Sequence, residues 1–327
     1  MPDPATQALE DAVADSVAWL ASPAVAASLA RDAYWPKWHS PWWHIVLLWE
    51  MGLTDRIPRP ALQALFDRVR AQYLDRFPFR VEDVPAGTDP LLGILCHCAL
   101  GTLYQVFFCA GFDVDADWPW ARPWLLRYQL PDGGLNCDEA AYLKAAPKSS
   151  IVSTLPCLEA VLHATPRPFT PAERAFLDRG AAYLIAHRLF RSASHPDRII
   201  DESWKQLCFP RFYEYDVLRG LAFLKDWAAR TGQALPTGAL TEAETIVRAA
   251  LDPASGEPVI GRSWHPAART HILSDTGKII GKEPASTFPL LERVRQPGQR
   301  APWLAAQAAR ALAPAPERPA IQSTVPA

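Results

Sequence analysis

Residues 120–162 read WARPWLLRYQLPDGGLNCDEAAYLKAAPKSSIVSTLPCLEAVL, and this stretch decides the fold. Trp120, Trp124 and Tyr128 recur every four residues with Leu125 beside them, which is one apolar stripe on a helix. Asp117 can cap that helix, and Pro119 fits its first turn, where a missing N–H costs nothing. Pro131-Asp132-Gly133-Gly134 ends it with a turn. A second helix starts at Ser149 or Ser150 and buries Ile151, Leu155, Leu158 and Leu162. The order is helix, tight turn, polar loop, helix.

The same grammar extends outward. Two short amphipathic patterns cover residues 5–31. Ser40-Pro41 opens a helix with Trp42, Ile45, Val46 and Trp49 on one face, and 59–76 forms an arginine-rich outer helix. Residues 91–110 are apolar nearly all round, which places that helix inside. Further helices are expected over 171–187, 217–228, 240–251, 286–294 and 302–312. No period-2 strand is visible, and 252–284 reads as loop. The expectation is one all-α domain over 1–312 and a disordered Pro/Ala-rich tail over 313–327.

Half of the 327 residues are apolar, enough for a substantial core. A net charge of −2 gives no general attraction to nucleic acid or anionic membrane. No run of about 18 apolar residues is present, so no membrane span is expected. The start MPDPATQALED lacks a basic-then-apolar leader, and the six cysteines read as reduced thiols, so a cytoplasmic location is expected. The 13 tryptophans imply large buried aromatic surfaces or a cavity lining.

Gln129-Leu130-Pro131-Asp132-Gly133-Gly134-Leu135 resembles the repeat of the squalene–hopene cyclase and prenyltransferase superfamily, with Leu135 where an aromatic residue is usual. Asp132-Gly133-Gly134-Leu135-Asn136-Cys137, Lys148-Ser149-Ser150, His187-Arg188-Leu189-Phe190 and the run from Phe209 to Leu221 resemble uncharacterised bacterial prenyltransferase/squalene-oxidase repeat proteins. The resemblance covers roughly residues 90–295. It implies an α/α toroid of about six helix pairs, terpenoid cyclase/prenyltransferase-like. It further implies an enzyme acting on an apolar, isoprenoid-type small molecule by acid/base chemistry in an aromatic-lined central cavity, where indoles can stabilise a carbocation.

Candidate residues gather at helix ends. Cys137, Asp138, Glu139, His187, Tyr215 and Asp216 are the catalytic candidates. Asn136, Lys148, Ser149, Arg211 and Tyr213 are expected at the cavity mouth, and Trp38, His39, Trp42 and His44 along its wall and rim, as substrate-binding residues. The alternative for the charged members is an arginine–aspartate network that bolts repeats together. Asp113, Asp115 and Asp117 differ from the acidic DxDD motif of class II cyclases and read as caps and loop. No DDxxD string for magnesium exists.

Whether a metal binds stays open, with zinc the candidate. Cys137, Asp138, His97 or His187 could supply ligands. Protein prenyltransferases of this fold hold zinc by Asp, Cys and His, with the cysteine in a DGC context that this chain lacks. Asp138 and Glu139 beside Cys137 make it a poor thiolate unless a cation compensates. Cys96-His97-Cys98 also suggests zinc, but residues two apart on a helix diverge by about 200°, so Cys96 and Cys98 are expected not to share an ion. LCHCALG resembles the zinc segment of the lanthipeptide cyclases, whose other zinc cysteine lies upstream; no cysteine precedes Cys96. Two rivals to the enzyme reading remain: a non-catalytic toroid that binds a lipid, peptide or partner helix, and an enzyme of unrelated, zinc-assisted chemistry on the same fold.

Overall fold

The computed structural model describes residues 4–35, 37–38, 40–73, 96–142, 144–236, 238–263, 269–274 and 279–314. It is mostly helical. Helices α1 (Pro4–Leu20) and α2 (Pro23–Arg31) are followed by α3 (Pro41–Glu50) and α4 (Arg59–Tyr73). Next come α5 (His97–Cys109), the short α6 (Val114–Asp117) and α7 (Ala121–Arg127). A four-residue α8 (Glu139–Tyr142) precedes α9 (Ile151–His163) and α10 (Pro171–Ala186). Then follow α11 (Val217–Thr231), α12 (Thr241–Ala249), α13 (Pro289–Val294) and α14 (Ala305–Leu312).

The helix starts follow the sequence signals. Proline occupies the first turn of α2, α3, α10 and α13, where no N–H is needed. Thr170 and Glu173 close a capping box on α10, and Asp216 caps α11 by accepting from the Arg219 N–H at 2.9 Å. Asp113 caps α6, and Asp115 accepts from Arg122 at 2.9 Å, so these acids serve as cap and ion-pair partner.

Four helices are buried nearly all round: α3, α5, α9 and the first half of α11. α4, α10, α12 and α14 cover them with one apolar face each. Among the described residues the buried apolar side chains form one cluster, with members from Ala12 to Ala311. α5 and α9 approach so closely that a Cβ on Gly101 would lie 2.5 Å from the Pro156 carbonyl carbon. Paired charges tie the buried helices: Arg219 of α11 meets Glu159 of α9 at 2.6 Å, with both side chains buried.

The expectation of no strands is corrected. Arg269–Leu273 (β1) and Ile279–Pro284 (β2) form an antiparallel hairpin with Arg269 opposite Pro284. Only Thr270 of the two strands is buried, so no alternation of apolar and polar residues marks them in the sequence. Among the described residues no single helix is long and apolar enough to cross a membrane.

Candidate metal centre

The site forms where the glycine turn folds back over the starts of α5 and α9. Gly133 has φ +96°, and a Cβ there would lie 2.4 Å from the Arg179 carbonyl oxygen of α10. Gly134 leaves no room either, since a Cβ would meet that of Ser149 at 2.4 Å. Asp132 clamps the loop by accepting from the Gly134 and Ser149 N–H groups at 3.2 and 3.0 Å and from the Ser149 hydroxyl. Leu135 N–H donates to Thr154 Oγ1 at 2.7 Å, and its carbonyl accepts from Ser150 at 2.8 Å. The chain therefore leaves the turn pinned to α9. Cys137 follows, its N–H donating to Ser153 Oγ at 3.1 Å.

Three sulfurs meet there. Cys96 Sγ lies 3.2 Å from Cys98 Sγ, and Cys137 Sγ lies 3.4 Å from Cys98 Sγ. All three fall within 4.8 Å of one another. The expectation that Cys96 and Cys98 point apart is corrected, because it took both as helical. Cys96 is the N-cap of α5, with extended backbone at φ −66° and ψ 158°, so its side chain leaves the helical path and turns beside Cys98. Leu91–Leu95, read as the start of this helix, lie outside the described residues.

The surroundings favour negative charge on sulfur. Cys98 N–H, in the first turn of the 13-residue α5, points at Cys137 Sγ over 3.4 Å. Contacts with the Cys96 and Cys98 thiols pull the Cys137 thiol well below its usual range and push theirs up, so the three sulfurs titrate as one coupled cluster. The Asp138 carboxylate turns to the next short helix and accepts from the Ala140 N–H at 3.0 Å. His97 stands behind the sulfurs, with Nδ1 donating to the Asn136 carbonyl at 2.8 Å. Burial lowers its pKa. Cys157 is a fourth thiol nearby, donating to the His97 carbonyl at 3.2 Å, but burial raises its pKa.

A polar group, Tyr34 and Lys37 before α3 with Tyr213 before α11, is electrostatically coupled to the thiols. Tyr34 Oη lies 3.0 Å from Tyr213 Oη, and Lys37 Nζ donates to Tyr213 Oη at 3.2 Å. Burial pulls Lys37 down to about 8, against the opposing charge of Cys96, Cys98 and Glu214. Burial also raises both tyrosines, helped by charge on Cys96 and Cys98. The ammonium sits 5.6 to 5.8 Å from the ring centres of Tyr34, Trp35, Trp43 and Tyr213. Thr270 of the hairpin accepts from the Lys37 N–H at 2.7 Å and fixes this segment.

Of the residues singled out in the sequence, Asn136, Cys137 and Tyr213 belong to this centre. Lys148 and Ser149 support it, the first through its carbonyl, which accepts from Asn136 Nδ2 at 2.8 Å. Asp216, Tyr215 and His187 stand elsewhere in structural bonds. Asp216 holds Arg211 at 2.9 Å, Tyr215 Oη donates to the Leu189 carbonyl at 2.8 Å, and His187 Nδ1 donates to the Arg191 carbonyl at 2.8 Å. Trp38 and Trp42 are packed in the core, and His44 is stacked between Trp19 and Phe288. His39 and the Glu139 side chain lie outside the described residues. Tyr34, Lys37 and the Cys96–Cys98 pair were not selected from the sequence. A lysine inside an aromatic run was the available signal for the first two.

Comparison with family models, characterised proteins and solved structures gives no match to this chain.

Proposed function

We propose that the chain is a zinc-dependent enzyme in which Cys96, Cys98 and Cys137 hold the metal and Lys37, Tyr213 and Tyr34 move protons beside it. The convergence of three sulfurs from two distant segments within 4.8 Å carries this reading. The donor set fits: soft thiolates suit zinc. A tetrahedral zinc at about 2.3 Å spaces its sulfurs about 3.8 Å apart. Contacts of 3.2 and 3.4 Å would open only slightly to admit it. Three protein ligands are the number found in catalytic zinc sites, which keep one position open, and a metal bound so polarises whatever fills it. Asn136 orients the centre through His97, and Ser153 holds the Cys137 backbone. Lys37, buried with an ammonium pulled to about 8, can give or take a proton near neutrality, and Tyr213 links it to Tyr34.

The scaffold in this reading is an α/α toroid, with α3, α5, α9 and α11 as inner helices and α4, α10, α12 and α14 outside. Its support is the all-round burial of the first four and the one-sided burial of the others. The cyclase-type alternative, an apolar isoprenoid-class ligand, rests on the Gln129–Leu135 motif.

The test is metal content. Protein grown with zinc and purified without chelator should carry one zinc per chain. Cys98→Ser and Cys137→Ser should each lose it, and Cys157→Ser should keep it. Wild-type protein that holds no metal, or a disulfide among the three cysteines in its peptide map, would overturn the proposal. Native mass spectrometry of the same sample would reveal a co-purified apolar molecule and so decide the alternative.

A further inference from the structure

A second site lies away from the thiols, at the other end of α5. A cavity of about 360 Å³ opens between the ends of α3, α5 and α9, the segment before α11, and α14. That volume falls in the range of small-molecule sites. Trp49, Phe108 and Trp303 form much of its wall, and Glu50 lies among them.

The charges around it do not balance. Arg211 is committed to Asp216 through two bonds of 2.9 Å and to Gln307 at 2.6 Å. Arg219 is committed to Glu159 through bonds of 2.6 to 3.1 Å. Arg310 and His163 at the rim both face Asp226, at 3.4 and 3.8 Å, and burial keeps His163 neutral by lowering its pKa. Each guanidinium thus has its own carboxylate. Among the described residues Glu50 makes no ion pair, its Oε2 accepting the Arg211 backbone N–H at 2.8 Å. Burial raises its carboxyl to about 7, against the pull of backbone N–H groups and the two guanidiniums.

We infer that this cavity binds a small organic cation with an apolar, preferably aromatic, body, its charged end taken by Glu50 and its body by Trp49, Phe108 and Trp303. A cation supplies the charge that Glu50 lacks, and an indole face attracts it further. An anion would meet Glu50 and Glu159 while both guanidiniums are already bonded. A neutral apolar ligand would bury Glu50 more deeply and leave it uncompensated. The site involves no metal and stands apart from the zinc centre.

Cys109, an exposed thiol on the cavity wall, serves as reporter. The wild-type protein is treated with iodoacetamide at pH 8, with 2-phenylethylamine or its neutral counterpart 2-phenylethanol, and alkylation at Cys109 is followed by peptide mass mapping. The amine should protect Cys109 at a concentration at least tenfold below that needed by the alcohol. Glu50→Gln should abolish that preference. Equal protection by amine and alcohol, protection by neither, or a preference that survives in Glu50→Gln would overturn the inference. Should Glu50→Gln fail to fold, the amine-to-alcohol ratio in the wild-type protein decides alone.

Discussion

Replacing Gly101 by alanine tests the packing that brings the thiol segments together. The new methyl would sit 2.5 Å from the Pro156 carbon, 2.6 Å from its oxygen and 2.7 Å from Cys157 N. All three are backbone atoms of α9, so no side chain can swing aside. Ordinary contact requires α5 and α9 to part by roughly 1 Å, and such overpacking typically costs 1–3 kcal/mol. The rigid backbone contact places this case near the top of that range. Alanine's better helix propensity returns up to about 1 kcal/mol, for a net loss near 2 kcal/mol. The displacement also reaches the proposed metal centre. Cys98 lies one turn before Gly101 on α5, and Ser153, which holds the Cys137 N–H, lies about one turn before Pro156 on α9. Urea unfolding should therefore show a lower midpoint with an unchanged slope, and chelator competition should show weaker zinc binding. A destabilisation below about 0.5 kcal/mol, within the usual scatter of surface changes, together with unaltered zinc affinity, would refute this account of the α5–α9 contact.

The Glu50 carboxyl is raised to about 7 in the folded chain. Its contribution to stability is therefore full below the unfolded value near 4.5, falls as pH rises toward 7, and amounts to about 3 kcal/mol across that window; Glu50→Gln should flatten the difference in urea stability between pH 5 and pH 8, and an unchanged difference would contradict it. Glu159→Gln leaves Arg219 buried without its charge partner and should cost about 3–5 kcal/mol by the same assay, whereas a loss under about 1 kcal/mol would mean the pair is solvated. Asp132→Ala frees the turn from Ser149 and Gly134, so zinc affinity should fall about 10- to 100-fold, the usual effect of losing a supporting contact; a chelator titration that matches wild type would show that the turn does not position Cys137.

Helices were legible because their starts carry proline or a capping residue and their apolar spacing is regular. The one boundary that mattered most was not. α5 begins after Cys96, a residue that accepts no side-chain capping bond, so nothing in the sequence separates it from the apolar run before it. Moving one residue from helix to extended backbone turns two diverging cysteines into neighbours 3.2 Å apart. The charged motif at 211–216 was legible as a cluster but not as to its role. Arg211, Asp216 and Arg219 hold one another, Glu159 and the start of α11. Lys37 was hidden because its partner Tyr213 is 176 residues away.

The glycine motif gains a physical meaning from these contacts. Gly133 is demanded by the Arg179 carbonyl of α10 and Gly134 by Ser149 at the start of α9. Asp132 fastens the same loop through Ser149, and Leu135 fastens it through Thr154 and Ser150. Among the described residues none of these four is hydrogen-bonded to a sulfur. Together they fix the path of the chain so that Asn136 presents its carbonyl to His97 and Cys137 arrives beside Cys98. The turn therefore packs two helices and sets where the two residues after it lie. The Gln129–Leu135 stretch thus accounts for helix packing, and the proposed zinc chemistry rests instead on Cys137 and the residues that meet it from α5.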